Sequence, residues 1–162
     1  MTLLEFLGGL DRIYLLRTGP EVCATIAEEV RERFAPTARI LVGKVPSRLP
    51  ARSWKISTGR PPKGRKAGKA WVAFHADSRP SARLLAGDAR QLYAYFSWLV
   101  EVRGTDPLSR FSRETLARPA FLWQRPVWDL YFTQAARSVR NLDREAYVRQ
   151  MARYGFTHLE VN

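Results

Sequence analysis

The sequence predicts an α+β fold in which helices lie across one face of a sheet. Two segments, residues 19–34 and 87–102, carry apolar side chains at helical spacing. Between them, short segments rich in β-forming residues alternate apolar and polar side chains, as strands do. The second helix is therefore expected to cross the sheet that these strands form.

Composition is that of a folded domain in a reducing compartment. The 162 residues suit one domain, and 46% hydrophobic with 12% aromatic content supplies a core. The single cysteine, Cys23, has apolar neighbours and is predicted to be a buried thiol rather than a nucleophile or ligand. The first residues lack the features of a signal peptide, and no long apolar run is present, so we expect a cytoplasmic protein without a membrane span.

The first helix is predicted from Gly19 to Phe34, after which the chain turns to strands. Its apolar stripe follows a proline and contains Val22, Ile26 and Val30. Residues 38–45 are predicted to form a strand. The segments SWKIST, residues 53–58, and KAWVAFHA, residues 69–76, are predicted to form a hairpin with a long loop.

The second helix, residues 87–102, begins at Asp88, which can cap its first turn. Its apolar stripe is predicted to be core rather than a cofactor site, and consists of Leu92, Tyr95, Phe96, Leu99 and Val100. Residues 103–118 are polar and rich in turn formers, so they are predicted to connect two parts of the protein.

Positive charge is concentrated between Ala35 and Ala76. The net charge is +12, and this region has ten basic residues and no acidic one. Its densest part, Gly59–Lys69, is rich in Gly and Pro and is predicted to be a solvated loop. The alternative is a polyanion contact through Arg60, Lys63, Arg65, Lys66 and Lys69. Because the loop lacks interleaved aromatic residues, nucleic acid is the less favoured partner.

The last part of the sequence reads as a helix that leads directly into a strand. Residues 141–155 begin with capping residues, repeat Tyr147, Met151 and Tyr154 on one face, and end with Gly155. The strand FTHLEV, residues 156–161, follows at once. A helix joined to a strand in this way is typical of a fold with parallel strands, in which the strand is buried between neighbours.

The segment RPAFLWQRPVWDLYFTQAARSVRNLDREAYVRQMARYGFTHLEVN, residues 118–162, resembles the start of the catalytic (β/α)8 barrel in family 20 β-hexosaminidases and related α-glucuronidases. The preceding region resembles their zincin-like accessory domain. The resemblance implies an accessory domain at residues 1–117 and an incomplete barrel at residues 118–162, at the front of a longer glycoside hydrolase. It implies support of the barrel and no activity of this chain alone, because the family's catalytic acids lie on later strands.

The resemblance also implies substrate contacts in a complete barrel. Arg125 and Asp129 lie on the first predicted barrel strand, and Glu160 and Asn162 lie at the end of the next. Arg125 is followed by Pro126, and Asp129 is four residues from Arg125, where the family has glycine and a spacing of five. Carbohydrate is then the expected substrate. No catalytic residue, cofactor or metal site is predicted.

Two alternatives to this interpretation stay open. One is a small basic nucleic-acid-binding protein that uses the Gly59–Lys69 loop. The other is a small interaction domain in which residues 156–161 pair into the same sheet as the other strands. In the barrel interpretation, that strand lacks partners and is expected to promote self-association.

Overall fold

The computed structural model describes residues 1–59, 72–76, 80–87, 89–111, 115–117 and 144–153. These residues form an α+β fold, as the sequence predicts, with helices on a mixed sheet. None of the described helices is both long and apolar enough to cross a membrane.

Four α-helices and one short 3-10 helix occur among the described residues. They are α1 (Leu3–Gly8), α2 (Glu21–Arg33), α3 (Ala89–Arg103), the 3-10 helix Leu108–Phe111 and α4 (Arg144–Arg153). The predicted helices 19–34, 87–102 and 141–155 correspond to α2, α3 and α4. Helix α1 was not predicted, although Thr2 and Glu5 form a capping box at its start.

The described strands form one six-stranded sheet. They are β1 (Arg12–Leu15), β2 (Arg39–Val42), β3 (Ser53–Thr58), β4 (Val72–Ala76), β5 (Ser81–Ala86) and β6 (Thr115–Ala117). Their order across the sheet is β2-β1-β3-β5-β4-β6. Strands β2, β1, β3 and β5 run parallel to one another, whereas β4 is antiparallel to both β5 and β6.

The predicted hairpin of residues 53–58 and 69–76 is wrong. Strand β5 lies between β3 and β4, parallel to the first and antiparallel to the second. Only four residues separate Ala76 from Ser81, so the β4–β5 hairpin closes a much shorter loop than a β3–β4 hairpin would. The sequence prediction lacked β5, and it therefore paired the two strands that flank the basic loop.

The segment 103–118, predicted as a connection between two parts, contributes to the sheet domain. Strand β6 pairs with β4, and the 3-10 helix before it places Phe111 in the core with no exposed surface. The Phe111 ring meets that of Phe74 edge to face, with 5.1 Å between centroids. The turn-forming residues of this segment therefore flank a buried aromatic residue, Phe111, that packs in the core.

Helices α2 and α3 cover one face of the sheet and enclose the core. Ile13 and Leu15 from β1 and Trp54 and Ile56 from β3 belong to this core, as do the apolar residues of β5. The ring of Trp54 lies 6.0 Å from that of Phe96 on α3. Alternation along each strand then places the intervening side chains on the opposite face of the sheet.

Helix α4 packs against α3. Its Ala152 lies partly buried against the core of the sheet domain. The first predicted barrel strand, which carries Arg125 and Asp129, and the strand predicted at residues 156–161 lie outside the described residues, as does most of the segment 118–162.

Candidate functional site

The site residues predicted from the sequence lie outside the described part of the structure. This holds for the loop residues and for the four substrate contacts expected in a barrel: Arg60, Lys63, Arg65, Lys66, Lys69, Arg125, Asp129, Glu160 and Asn162. Their predicted roles stay predictions. In the described residues, no group of three or more His, Cys, Asp or Glu side chains could hold a metal ion.

Cys23 is a free, buried thiol on the inner side of α2, as predicted. Only 2% of the residue is exposed. Burial raises the pKa of the thiol to about 11, so the thiolate needed for nucleophilic attack is scarce at neutral pH.

A carboxylate on α2, Glu29, connects three helices. It accepts hydrogen bonds from the Tyr93 hydroxyl on α3, from Nη1 of Arg33 at 2.5 Å, and from Nη2 of Arg153 on α4 at 3.0 Å. Its side chain is 11% exposed. Each of the three contacts therefore acts on a charge that is largely withdrawn from water.

The protonation of Glu29 is set by two opposing effects. Burial raises the pKa of Glu29, but the hydrogen bonds from Tyr93 and Arg33 and the charges of Arg153 and Arg33 more than offset it, so the pKa lies below its ordinary value. Burial and the hydrogen bond to Glu29 raise the pKa of Tyr93. The carboxylate stays ionised and Tyr93 stays a donor at neutral pH, which suits a structural contact.

A second cluster lies on the face of the sheet opposite the helices. Each of five neighbouring strands places one basic side chain there, and we call these residues the basic face: Arg39, Arg12, Lys55, Arg83 and His75, from β2, β1, β3, β5 and β4. The strand register sets Arg12 beside Arg39, and Arg83 between Lys55 and His75. None of the six described strands contains Asp or Glu.

The two ends of the basic face differ in exposure. Arg12 and Arg39 are exposed, and no described carboxylate forms an ion pair with either. Lys55, Arg83 and His75 are partly buried. Burial lowers the pKa of Lys55, and the neighbouring charge of Arg83 lowers it further. The two cations thus repel each other in a partly desolvated position.

A hydroxyl group lies next to this pair of cations. Ser57 is two residues beyond Lys55 on β3 and shares its face of the sheet. The residue is 1% exposed, and its Oγ has no hydrogen-bond partner among the described residues. A buried hydroxyl without a hydrogen-bond partner costs free energy.

The basic face was not predicted from the sequence. The sequence analysis considered a polyanion contact only in the Gly59–Lys69 loop. A usable signal was present: in SWKIST and SARLLA, a single basic residue occupies the position that alternates with apolar core residues. Strands β1 and β5 were not predicted, so their arginines could not be aligned with Lys55.

The structure thus defines an α+β domain with helices on one face of a mixed sheet and basic side chains on the other. Neither the protein-family models nor the curated proteins gave a match to this sequence.

Proposed function

We propose that this chain is the N-terminal accessory portion of a glycoside hydrolase of the β-hexosaminidase or α-glucuronidase type. It supports the catalytic barrel by packing and hydrolyses no substrate alone. The proposal rests on the resemblance of residues 118–162 to the start of such a barrel, and the α+β fold of the preceding region is compatible with a zincin-like accessory domain.

The observation that supports this proposal best is the attachment of α4 to the sheet domain. Helix α4 corresponds to the first helix of the proposed barrel. Its Arg153 donates to Glu29 on α2, and Tyr93 on α3 donates to the same carboxylate. The helix that would begin the barrel is therefore held by both principal helices of the domain before it.

This kind of contact suits a supporting role. Charge-assisted hydrogen bonds to a mostly buried carboxylate are directional, so they fix the orientation of α4 as well as its position. The partial burial of Ala152 adds apolar contact at the same end of the helix. Val148, one turn before Ala152 on the same helix, is 49% exposed and offers apolar surface to a further layer of structure.

In the proposed barrel, substrate is contacted by Arg125 and Asp129 on the first strand and by Glu160 and Asn162 at the end of the next. The acid and base of the reaction come from later strands of the longer protein. Glycoside hydrolysis needs two suitably placed carboxyl groups, or one together with a substrate acetamido group.

The gene sequence beyond the codon for Asn162 gives the first test. We expect an open reading frame that encodes further βα units. The longer product should hydrolyse an aryl N-acetyl-β-glucosaminide or an aryl glucuronide, whereas residues 1–162 should give only the uncatalysed rate. Turnover by residues 1–162 that is lost on mutating this chain would contradict the proposal, and so would a downstream sequence without βα units.

A second experiment tests the supporting role itself. In the longer product, Arg153→Met should lower the temperature at which glycosidase activity is lost. The matched control is Arg149→Met on the same helix, because the ion pair of Arg149 among the described residues is with the exposed Glu145, at 2.6 Å. Equal thermal inactivation of the two variants would show that the contact with Glu29 does not support the barrel.

A further inference from the structure

We propose that the outer edge of β2 pairs with the same strand of a second copy of this chain, in an antiparallel contact that joins the two sheets across a two-fold axis. In this contact, Leu41 of one copy lies opposite Leu41 of the other. The surface belongs to the sheet domain, so the proposal goes beyond the barrel-supporting function and does not depend on it.

The backbone of β2 has one side that no described strand pairs with. Strand β2 is first in the sheet order, and its neighbour there is β1. The N–H groups of Arg39 and Gly43 donate to backbone carbonyl oxygens on the β1 side. Because backbone groups alternate in direction along a strand, the N–H and C=O groups of Ile40 and Val42 point away from β1. These two residues therefore offer donors and acceptors to a further strand.

The side chains of β2 are mostly apolar and are open to solvent. Val42 is 61% exposed and Leu41 is 38% exposed, and alternation places them on opposite faces of the strand. Edge strands commonly avoid pairing through Pro, Lys or other charged residues, and β2 contains no Pro, Lys or acidic residue. Its one charged residue is Arg39, at the first position. This edge is therefore suited to pairing with another strand.

Backbone direction and side-chain chemistry together favour one register. When Leu41 lies opposite Leu41, Ile40 of each copy lies opposite Val42 of the other, and this pair exchanges both of its outward hydrogen bonds. Arg39 then lies opposite Gly43, which has no side chain. The space around Gly43 is open, since a Cβ atom placed there would meet no atom within 4 Å. Apolar side chains are thus paired with apolar ones, and the two arginines are kept apart.

The neighbouring register, with Ile40 opposite Ile40, is less favourable. It places Arg39 opposite Leu41 of the second copy, and its ladder continues through Ala38. The N–H group of Ala38 already donates to the carbonyl oxygen of Ala35, so it is not free to donate to another strand. The register centred on Leu41 uses only residues of β2 for its hydrogen bonds, and it keeps the charged side chain beside glycine.

Sedimentation velocity of residues 1–162 measures this association. Interfaces below about 1,200 Å² are typical of transient complexes, and a contact between two short strands belongs to this class, so the measurement extends to about 0.5 mM protein. Salt at about 0.5 M screens the repulsion between two chains of net charge +12. We expect the weight-average mass to rise with concentration from that of the monomer towards that of the dimer.

Charge variants at position 41 test the register. Leu41→Lys and Leu41→Glu should each weaken the dimer about tenfold, because like charges then lie directly opposite each other. An equimolar mixture of the two variants should restore association, since each charge then faces its opposite. In the register centred on Ile40, Leu41→Glu would instead face Arg39 and strengthen the dimer. The matched control is Val102→Lys, at a 61% exposed position of α3, which should leave association within about twofold of wild type.

A disulfide bond gives a second readout of the same register. In a non-hydrogen-bonded antiparallel pair, the two Cα atoms lie about 4.5 Å apart, a distance that a disulfide spans. Leu41→Cys should therefore form a covalent dimer with oxidised glutathione, whereas Val42→Cys, with its Cα atoms about 9 Å apart, should not. Random collision would give the reverse order, because Val42 is the more exposed of the two. The natural Cys23 is buried and should not interfere.

Several results would overturn the proposal. They are a monomer at every concentration, a mixture of the charge variants that does not recover association, and cross-linking of Val42→Cys that equals or exceeds that of Leu41→Cys. Association that persists in both charge variants would also overturn it, and would assign self-association to another surface, such as the strand predicted at residues 156–161. Thermal unfolding of each variant establishes that it is folded. These readouts do not involve glycosidase activity, so the proposed function stands or fails separately.

Discussion

Replacing Glu29 by Gln tests whether one carboxylate holds the three helices together. Glutamine keeps the shape of the side chain and removes its charge. In the wild type, Tyr93, Arg33 and Arg153 each donate a hydrogen bond to the Glu29 carboxylate. In the variant, the same three groups face a neutral amide. The loss of folding stability in Glu29→Gln therefore measures charge-assisted hydrogen bonding, because the packing of the side chain changes very little.

The expected loss of stability follows from the exposure of the three donors. A hydrogen bond to a charged group contributes about 1.5–3 kcal/mol when buried. Arg33 is 40% exposed and Arg153 is 29% exposed, so solvent reduces their contributions to about 0.3 and 0.7 kcal/mol. Replacing the charged acceptor of Tyr93, which is 5% exposed, costs about 1 kcal/mol. The sum is about 2 kcal/mol, or about 4–8 °C in Tm for a protein of this size.

The adjacent residue provides a matched control. Glu28 lies on the same helix and pairs with Arg31, but the two side chains are 46% and 43% exposed. Glu28→Gln should therefore cost less than about 0.5 kcal/mol. Urea unfolding of both variants, followed by circular dichroism, measures the difference. Equal losses for Glu28→Gln and Glu29→Gln, or no loss for the latter, would refute the argument.

Four further predictions concern pH, charge and local stability. The wild type should have a higher unfolding free energy than Glu29→Gln, and this difference should be fully present above the ordinary pKa of 4.5. It should disappear as pH falls below that value, because the pKa of Glu29 is depressed in the folded state. A constant difference between pH 7 and pH 3 would contradict this. Lys55→Met should raise the unfolding free energy by up to about 0.5 kcal/mol, because it removes a charge that burial disfavours and that the neighbouring Arg83 repels; a loss of about 1 kcal/mol in urea unfolding would contradict this. In hydrogen exchange, β3, paired on both sides, should exchange more slowly than β2, which lies at the edge of the described sheet, and the reverse order would argue against this topology. Neutralising the loop cations should leave the unfolding midpoint unchanged and remove only weak, salt-sensitive nucleic-acid binding, whereas loss of sequence-specific binding would support the nucleic-acid alternative; these cations are Arg60, Lys63, Arg65, Lys66 and Lys69.

Local signals in the sequence were sufficient for the principal helices. The spacing of Val22, Ile26 and Val30 is a property of consecutive turns, and α2 follows it. The same holds for α3 and α4, whose bounds differ from the predicted ones by one to three residues. The buried state of Cys23 was also predictable, because its neighbours on the helix are apolar.

The candidate sites depended on pairings that no local pattern contains. Lys55 and Arg83 are 28 residues apart in sequence, and they are neighbours because β5 lies between β3 and β4 in the sheet. Glu29 and Arg153 are separated by 124 residues and meet through the packing of α4. A sequence pattern gives the face on which a side chain lies, but not which strand or helix lies beside it.

The α+β class, the principal helices and the excess of positive charge follow from the amino-acid sequence alone. The order of the strands, the alignment of their basic side chains on one face, and the burial of Glu29 among its three donors arise only from tertiary packing. The physical reason is that periodicity and capping act within a few residues, whereas strand order and helix packing depend on the free energy of contacts between distant segments.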